Sequence, residues 1–218
     1  MLAIAGGKGG CGKTTTTLGL ARALAASGPR GSAPLAVDAD CEMPDLHLRA
    51  DAAPEPGLAA VADGTPPASA AHRTPVAPGA AVVPGVDTDA RDLPRALPRL
   101  REWDGPVLVD CPAGAGRDAA RPLRAADRTL LVTTPTVESL RDGVKTAAMA
   151  RALDAAPVGV VVVERARNGT EPPADRVAAL FECPVLARVP AVDEPPIRAE
   201  SVRLAHRAVG KKVFERNV

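Results

Sequence analysis

The residues best suited to chemistry lie almost at the N-terminus, in Gly6-Gly7-Lys8-Gly9-Gly10-Cys11-Gly12-Lys13-Thr14-Thr15. Read from Gly7, the run fits G-x-x-x-x-G-K-[ST], a loop that wraps phosphates. Glycines let the backbone turn sharply and approach a ligand closely. Lys13 offers a compact charge to terminal phosphates, and Thr14 a hydroxyl for Mg²⁺. The same letters also spell G-x-G-x-x-G at Gly7, Gly9 and Gly12, the dinucleotide fingerprint. That reading wants an acidic residue about 20 positions on and has no use for Lys13-Thr14. A merely flexible glycine loop is the third possibility.

The flanking elements favour the phosphate loop. Leu2-Ala3-Ile4-Ala5 is a short apolar run of strand type. Thr14 to Ala26 carries Leu18, Ala21 and Ala25 on one helical face, with Gly28-Pro29 as its stop. A strand, a glycine loop and a helix start together make an anion site, because the first helical N–H groups are unpaired and the helix dipole favours negative charge. Two further apolar strands end in carboxylates: Leu35-Ala36-Val37 runs into Asp38-Ala39-Asp40, and Pro106-Val107-Leu108-Val109 into Asp110. A lone Asp after a strand is usually a turn or a cap. Three behind a phosphate loop instead suit the metal and water of nucleotide hydrolysis, with Asp110 holding Mg²⁺ through its waters.

Lysine is scarce here. Of 27 basic residues only Lys8, Lys13, Lys145, Lys211 and Lys212 are lysines, and two of them stand in this one loop. Lys and Arg are not interchangeable around a phosphate, so Lys8 looks chosen for its chemistry. Lys8-Gly9-Gly10-Cys11-Gly12-Lys13-Thr14-Thr15 resembles the deviant Walker A loop, KGGxGKT[ST], of the MinD/ParA family of dimerising ATPases. The resemblance implies a P-loop α/β fold, with a mostly parallel twisted sheet flanked by helices on both faces. It implies ATP and Mg²⁺ as cofactors and a homodimer when ATP is bound, in which Lys8 crosses to the partner's nucleotide. It gives catalytic roles to Lys8, Lys13 and Asp40, the last positioning the attacking water. Nucleotide contacts fall to Gly7, Lys8, Gly9, Gly10, Cys11, Gly12, Lys13, Thr14, Thr15 and Arg165, and the metal shell to Thr14, Asp38 and Asp110.

Later segments extend the likeness over nearly the whole chain. Asp110-Cys111-Pro112-Ala113-Gly114 resembles the D-x-P-A-G switch, and Thr134 to Asp142 the TPExSSxRD helix start. Val189-Pro190-Ala191-Val192-Asp193-Glu194 resembles V-P-E-D, with Arg198-Ala199 after it. Two departures stand out. Glu164-Arg165 occupies the place of an Asn-Arg whose Asn reads adenine, and Asn168 is the candidate substitute. Met43-Pro44-Asp45-Leu46-His47-Leu48 is similar to P-N-L-H-L of relatives with an inserted ferredoxin, yet no cysteine cluster follows.

Composition bounds the rest. At 218 residues and 46% hydrophobic, the chain can bury a core, expected as one domain over 1–218. With no Tyr, one Trp and two Phe, that core must be built from Ala, Val and Leu. A net charge of +1 and so few aromatics give no case for nucleic acid. No run of 18 apolar residues occurs, and the chain opens on a strand rather than a basic leader, so a cytoplasmic protein is expected. Cysteines 11, 41, 111 and 183 form no C-x-x-C, which argues against a zinc or iron–sulfur site. Cys11, Cys41 and Cys111, all on loops near the nucleotide, are small residues or an oxidation-sensitive set.

Further strands are expected at Ala81–Val83, Thr129–Thr133, Val158–Val163 and Val185–Val189. Helices are expected at Asp92–Trp103 (interrupted by Pro98), Val137–Leu153, Arg176–Phe181 and Ile197–His206. Residues 52–79, with six prolines, read as a loop holding at most a short helix near Leu58–Val61. Continuous apolar strands alternating with helices mean a buried parallel sheet, with ligands beyond the strands' carboxyl ends. The expected function is an ATP-driven spatial switch that positions cellular machinery through a protein partner. A metal-cluster carrier or reductase of the same superfamily, or a non-catalytic adaptor, are the alternatives. Some family members end in an amphipathic helix that enters lipid. Here Val202 to Val218 is basic but broken at Gly210 and poor in large apolar groups, so at most weak, salt-sensitive lipid association is expected.

Overall fold

The computed structural model describes residues 1–28, 32–166 and 172–214. Pro29 and Asn168 therefore lie outside the described residues, as do the last four residues of the basic tail. Eight strands form one sheet in the order β3-β4-β2-β5-β1-β6-β7-β8. They are β1 (Leu2–Ala5), β2 (Leu35–Asp38), β3 (His72–Arg73), β4 (Ala81–Val83), β5 (Val107–Asp110), β6 (Arg128–Thr133), β7 (Pro157–Val163) and β8 (Val185–Val189). All neighbours run parallel except β3, which pairs antiparallel with β4 at the edge. From the central β1 the chain goes first toward β2 and β4. It returns to insert β5, then continues through β6 on the other side, so the connections diverge around β1 and open a crevice there.

Side-chain alternation along each strand divides the core into two layers. Leu2 and Ile4 join Leu18, Leu20, Ala21 and Leu24 of α1 (Lys13–Ser27) and Val202, Val209 and Val213 of α9 (Glu200–Phe214) on one face. Ala3 and Ala5 face the other side. There Val37, Val83 and Val109 pack with Leu58, Leu93, Leu97 and Leu123, from α3 (Leu58–Ala62), α5 (Leu93–Arg99) and α6 (Arg117–Ala125). A third cluster centres on Phe181 of α8 (Ala174–Phe181), seated on Gly143 of α7 (Val137–Ala152), where a Cβ would stand 2.8 Å from the ring. With so few aromatics, glycine and alanine let elements close up until Val and Leu fill the space.

Several expectations need correction. Within 52–79 the short helix expected near Leu58–Val61 is present as α3, but α4 (Pro67–Ala70) and β3 give the stretch more order than a loop, and α2 (Leu46–Ala50) precedes it. Helices of four or five residues are too short to show a clear periodicity, so the sequence concealed α2 and α4. α6 carries three arginines and Pro122 in nine residues, and only its buried Ala119, Ala120 and Leu123 reveal an inner face. α5 runs through Pro98 and tightens into a 3₁₀ turn at Leu100–Glu102 rather than breaking there. α9 starts at Glu200, not Ile197, and continues past Gly210 to Phe214. A helical glycine costs about 1 kcal/mol relative to alanine, less than burial of Val202, Val209 and Val213 returns.

Candidate functional site

The site grows from the loop between β1 and α1. Gly10 (φ 71°) and Gly12 (φ 102°) sit in the left-handed region, which only glycine occupies without strain. Gly12 is the residue before α1, whose first turn contains no acidic side chain, so its free N–H groups face a region left for an anion. Gly7 serves packing: a Cβ there would run into the backbone of Asp142 and Gly143 in α7. Cys11 turns inward, where its Sγ would stand 2.7 Å from a Cβ at Gly6.

At the carboxyl ends of β2 and β5, Asp38 and Asp110 are register partners and both are buried. Burial pushes Asp38 up to about 8, with the charge of Asp110 adding to it. Burial likewise pushes Asp110 up to about 7, opposed by hydroxyls of Thr14 and Thr17 and by the charge of Lys13. Asp38 also holds the following loop: Oδ1 accepts from the Asp40 N–H (3.1 Å) and Oδ2 from the Leu46 N–H (3.1 Å). Asp40 accepts from the Met43 N–H (3.1 Å), which fixes the turn that brings it to the cavity. The Thr14 hydroxyl donates to Asp45 (3.3 Å), whose other oxygen accepts from Arg49 Nε (2.7 Å).

A cavity of about 570 Å³ lies beside these groups. Gly9, Gly10, Gly12, Lys13, Thr14 and Thr15 line it together with Asp40 and Asp110. Its far end is mostly apolar, formed by Val163, Val189, Pro190 and Val192, with Glu164 and Arg165 beside them. Gly12 links the two ends, since a Cβ there would stand 3.2 Å from Val163. A Cβ on Gly10 would stand 3.7 Å from Arg165 Nη2. Gly7, Lys8, Cys11 and Asp38 do not line the cavity. Lys8 instead forms an ion pair with Glu138 in the first turn of α7, and both side chains remain largely exposed. Burial raises the thiol pKa of Cys11, of Cys111 and of Cys41 (to about 11), so these cysteines are protonated small residues rather than reactive thiolates.

Residues 2–201 match the model of the CobQ/CobB/MinD/ParA nucleotide binding domain. The chain belongs to that family. It is 30% identical to an uncharacterized ATP-binding protein of Methanocaldococcus jannaschii, over 90% of this chain and 75% of that protein. Among solved structures it is similar to the septum site-determining protein MinD of Pyrococcus horikoshii, complexed with Mg-ADP (TM-score 0.84, 26% identity). That match covers 98% of this chain and 95% of the other. Cobyrinic acid a,c-diamide synthase of Mycobacterium smegmatis, solved with an ATP analogue and magnesium, shares the fold at TM-score 0.71 and 23% identity, covering 96% of this chain and 92% of the other.

Within this CobQ/CobB/MinD/ParA domain, the residues that sequence reasoning passed over are those brought in by packing. Asp45 was visible only as part of a motif, and its approach to Thr14 depends on the Asp38–Leu46 hydrogen bond. Thr17 donates to Asp110 (3.3 Å) from one turn inside α1. His206 borders the cavity from α9 and carried no motif.

Proposed function

We propose that this chain is a Mg²⁺-dependent ATP hydrolase that works as a dimerising switch, with all of 1–218 as one nucleotide-binding unit. The observation that carries the reading is the polarity of the cavity. Lys13, Thr14 and the raised carboxyl of Asp110, with Asp38 buried beside it, stand at one end, and mostly apolar loop residues at the other. A nucleoside triphosphate has that distribution of charge. The carboxylate pair fits a divalent cation, since two buried acids repel until a positive charge joins them. No group of three or more His, Cys, Asp or Glu among the described residues could hold a metal alone. Magnesium suits this, being bound by one or two carboxylates plus phosphate oxygens and waters. Thr14, Asp38 and Asp110 would hold the ion, which when bound neutralises charge on the phosphates.

The protein's own groups then do the following. Backbone N–H groups from Gly9 to Thr15 and the Lys13 ammonium orient the phosphates and stabilise charge as the terminal group leaves. Asp40, held by the Met43 N–H, orients the attacking water. Arg165 and the loop around Pro190 close the base end. Lys8, exposed and off the cavity, suits a contact with the nucleotide of a second copy. Exposed apolar Met43, which lines the cavity, and Val137, beside Glu138, are groups that a second copy would cover. α9 turns Val202, Val209 and Val213 into the core, which leaves no long apolar face on Glu200–Phe214 for lipid. Cellular position is then set by a protein partner. The test is light scattering of the chain with Mg²⁺ and a non-hydrolysable ATP analogue. A dimer that forms only with the analogue is expected, and a monomer at saturation sinks the switch. A pull-down with the ATP-trapped Asp40→Ala form would then identify the partner.

A further inference from the structure

Asp45 has a ready local use for its side chain and does not take it. It is the residue that precedes α2, where an aspartate ordinarily accepts from an N–H of the helix's first turn. No such bond forms, and the Leu46 N–H donates to Asp38 Oδ2 instead. Both oxygens of Asp45 are turned elsewhere. Oδ1 accepts from the Thr14 hydroxyl (3.3 Å) and Oδ2 from Arg49 Nε (2.7 Å). Arg49, one turn on in α2, thereby holds the carboxylate against the first turn of α1. Thr14, Asp45 and Arg49 all line the cavity, with Asp45 only half-buried.

A threonine hydroxyl has one proton to donate and two lone pairs. To bind a cation through its oxygen, it must give its hydrogen bond to an acceptor on another side. Groups that touch a metal owe their orientation to such partners behind them. Of the carboxylates grouped at this end, Asp38 is engaged by the Asp40 and Leu46 N–H groups. Asp110 is within reach of the Thr14 hydroxyl, but it also accepts from Thr17 (3.3 Å) and would itself serve the ion. Asp45 has neither duty, and Arg49 keeps it in place from its own helix.

We propose that Asp45 is a positioning residue of the metal site, accepting the hydrogen bond of the Thr14 hydroxyl so that the oxygen's lone pairs are free for Mg²⁺. The proposal rests on the Mg²⁺-nucleotide reading above. Isothermal titration of a non-hydrolysable ATP analogue in Mg²⁺ and in EDTA measures the gain in affinity that the metal brings. Asp45→Ala should cut that gain about tenfold or more, with no loss of affinity in EDTA. Asp45→Glu keeps the charge but moves the acceptor by one methylene, and should lose about threefold or more of the gain. It also carries the test if Asp45→Ala does not fold. In a Thr14→Ala chain, where the hydroxyl is gone, Asp45→Ala should change affinity in Mg²⁺ by less than about twofold. A loss that persists in the Thr14→Ala chain would make Asp45 a charge acting on the ion directly, and overturns the assignment. Equal losses in Mg²⁺ and EDTA overturn it as well, because they mark a structural role. So does a gain that Asp45→Ala leaves unchanged or raises, the result expected of a contact that the metal must break. A wild-type chain that binds the analogue equally in Mg²⁺ and EDTA would overturn the metal reading itself, which is a different result.

Discussion

The two ends of the cavity are built on different principles. The proposed phosphate end is local and polar: a single loop, the first turn of α1 and the end of β5 supply Lys13, Thr14 and Asp110, with Asp38 buried beside Asp110. The proposed base end is assembled from afar, by the end of β7, the loop after β8 and one side chain of α9, and it is largely apolar. Charge recognition needs a few donors in fixed covalent spacing, and backbone N–H groups at a helix start provide it whatever the surrounding side chains. Base recognition needs shape and a few polar contacts, which many different residues can supply. Damage at the phosphate end should therefore be severe and indifferent to the base. Damage at the base end should be graded and visible only with a nucleotide.

The largest effect is expected from Lys13→Ala. The analogue and tripolyphosphate should both lose about 100-fold or more in affinity by isothermal titration, since a buried charge is removed from a charge-assisted contact. Equal loss for both ligands would sharpen the contrast, and unaltered tripolyphosphate binding would break it. Asp40→Ala should keep ATP affinity within about threefold while turnover falls about 100-fold, leaving a long-lived dimer. Unchanged turnover would remove Asp40 from the water.

Lys8→Ala separates the cavity from its rim. Affinity of the monomer for ATP should be retained while the dimer is lost in light scattering, and a normal dimer would cancel the cross-subunit role.

Asp110→Asn tests the carboxylate pair through stability. The Asp110 carboxyl has its pKa raised from 3.8 to about 7, so the folded state binds its proton more tightly than the unfolded state does. The stability it contributes is present below about pH 4 and lost as pH rises through about 7. Without nucleotide or metal, the asparagine variant should melt several degrees above wild type at pH 8, by about the shift expected for 1–2 kcal/mol. The difference should vanish near pH 4, and Mg-ATP should add less stability to the variant than to wild type. A lower melting point at pH 8 would show that the pair is satisfied in some other way.

The smallest effect belongs to Glu138→Gln. An exposed ion pair contributes about 0–1 kcal/mol, so releasing Lys8 should tighten the ATP-dependent dimer by about twofold to fivefold. A weakened dimer would mean that Glu138 supports the interface rather than competing for Lys8.

Much of this molecule was legible in the chain itself. The loop from Gly7 to Thr15, and the placing of Asp38 and Asp110 at strand ends, follow from covalent spacing and from the alternation of apolar runs. Both are local properties that survive any detail of packing. The mostly parallel sheet followed less directly, through the resemblance that those residues carried, and its strand order came only from the structure. Tertiary structure alone decided the rest. Lys8 meets Glu138 across 130 positions in sequence because Gly7 lies against the backbone of α7. Asp45 reaches Thr14 because Asp38 holds the start of α2. α9 passes through Gly210 because that residue faces α1, where a Cβ would meet Leu20 and Leu24 at 3.5 and 3.6 Å. His206 is buried beside the cavity because Gly19 makes room for it. Each of these outcomes turns on which two surfaces approach and how closely, an energy set by residues far apart in the chain, and intrinsic propensities of about 1 kcal/mol or less are too weak to fix it.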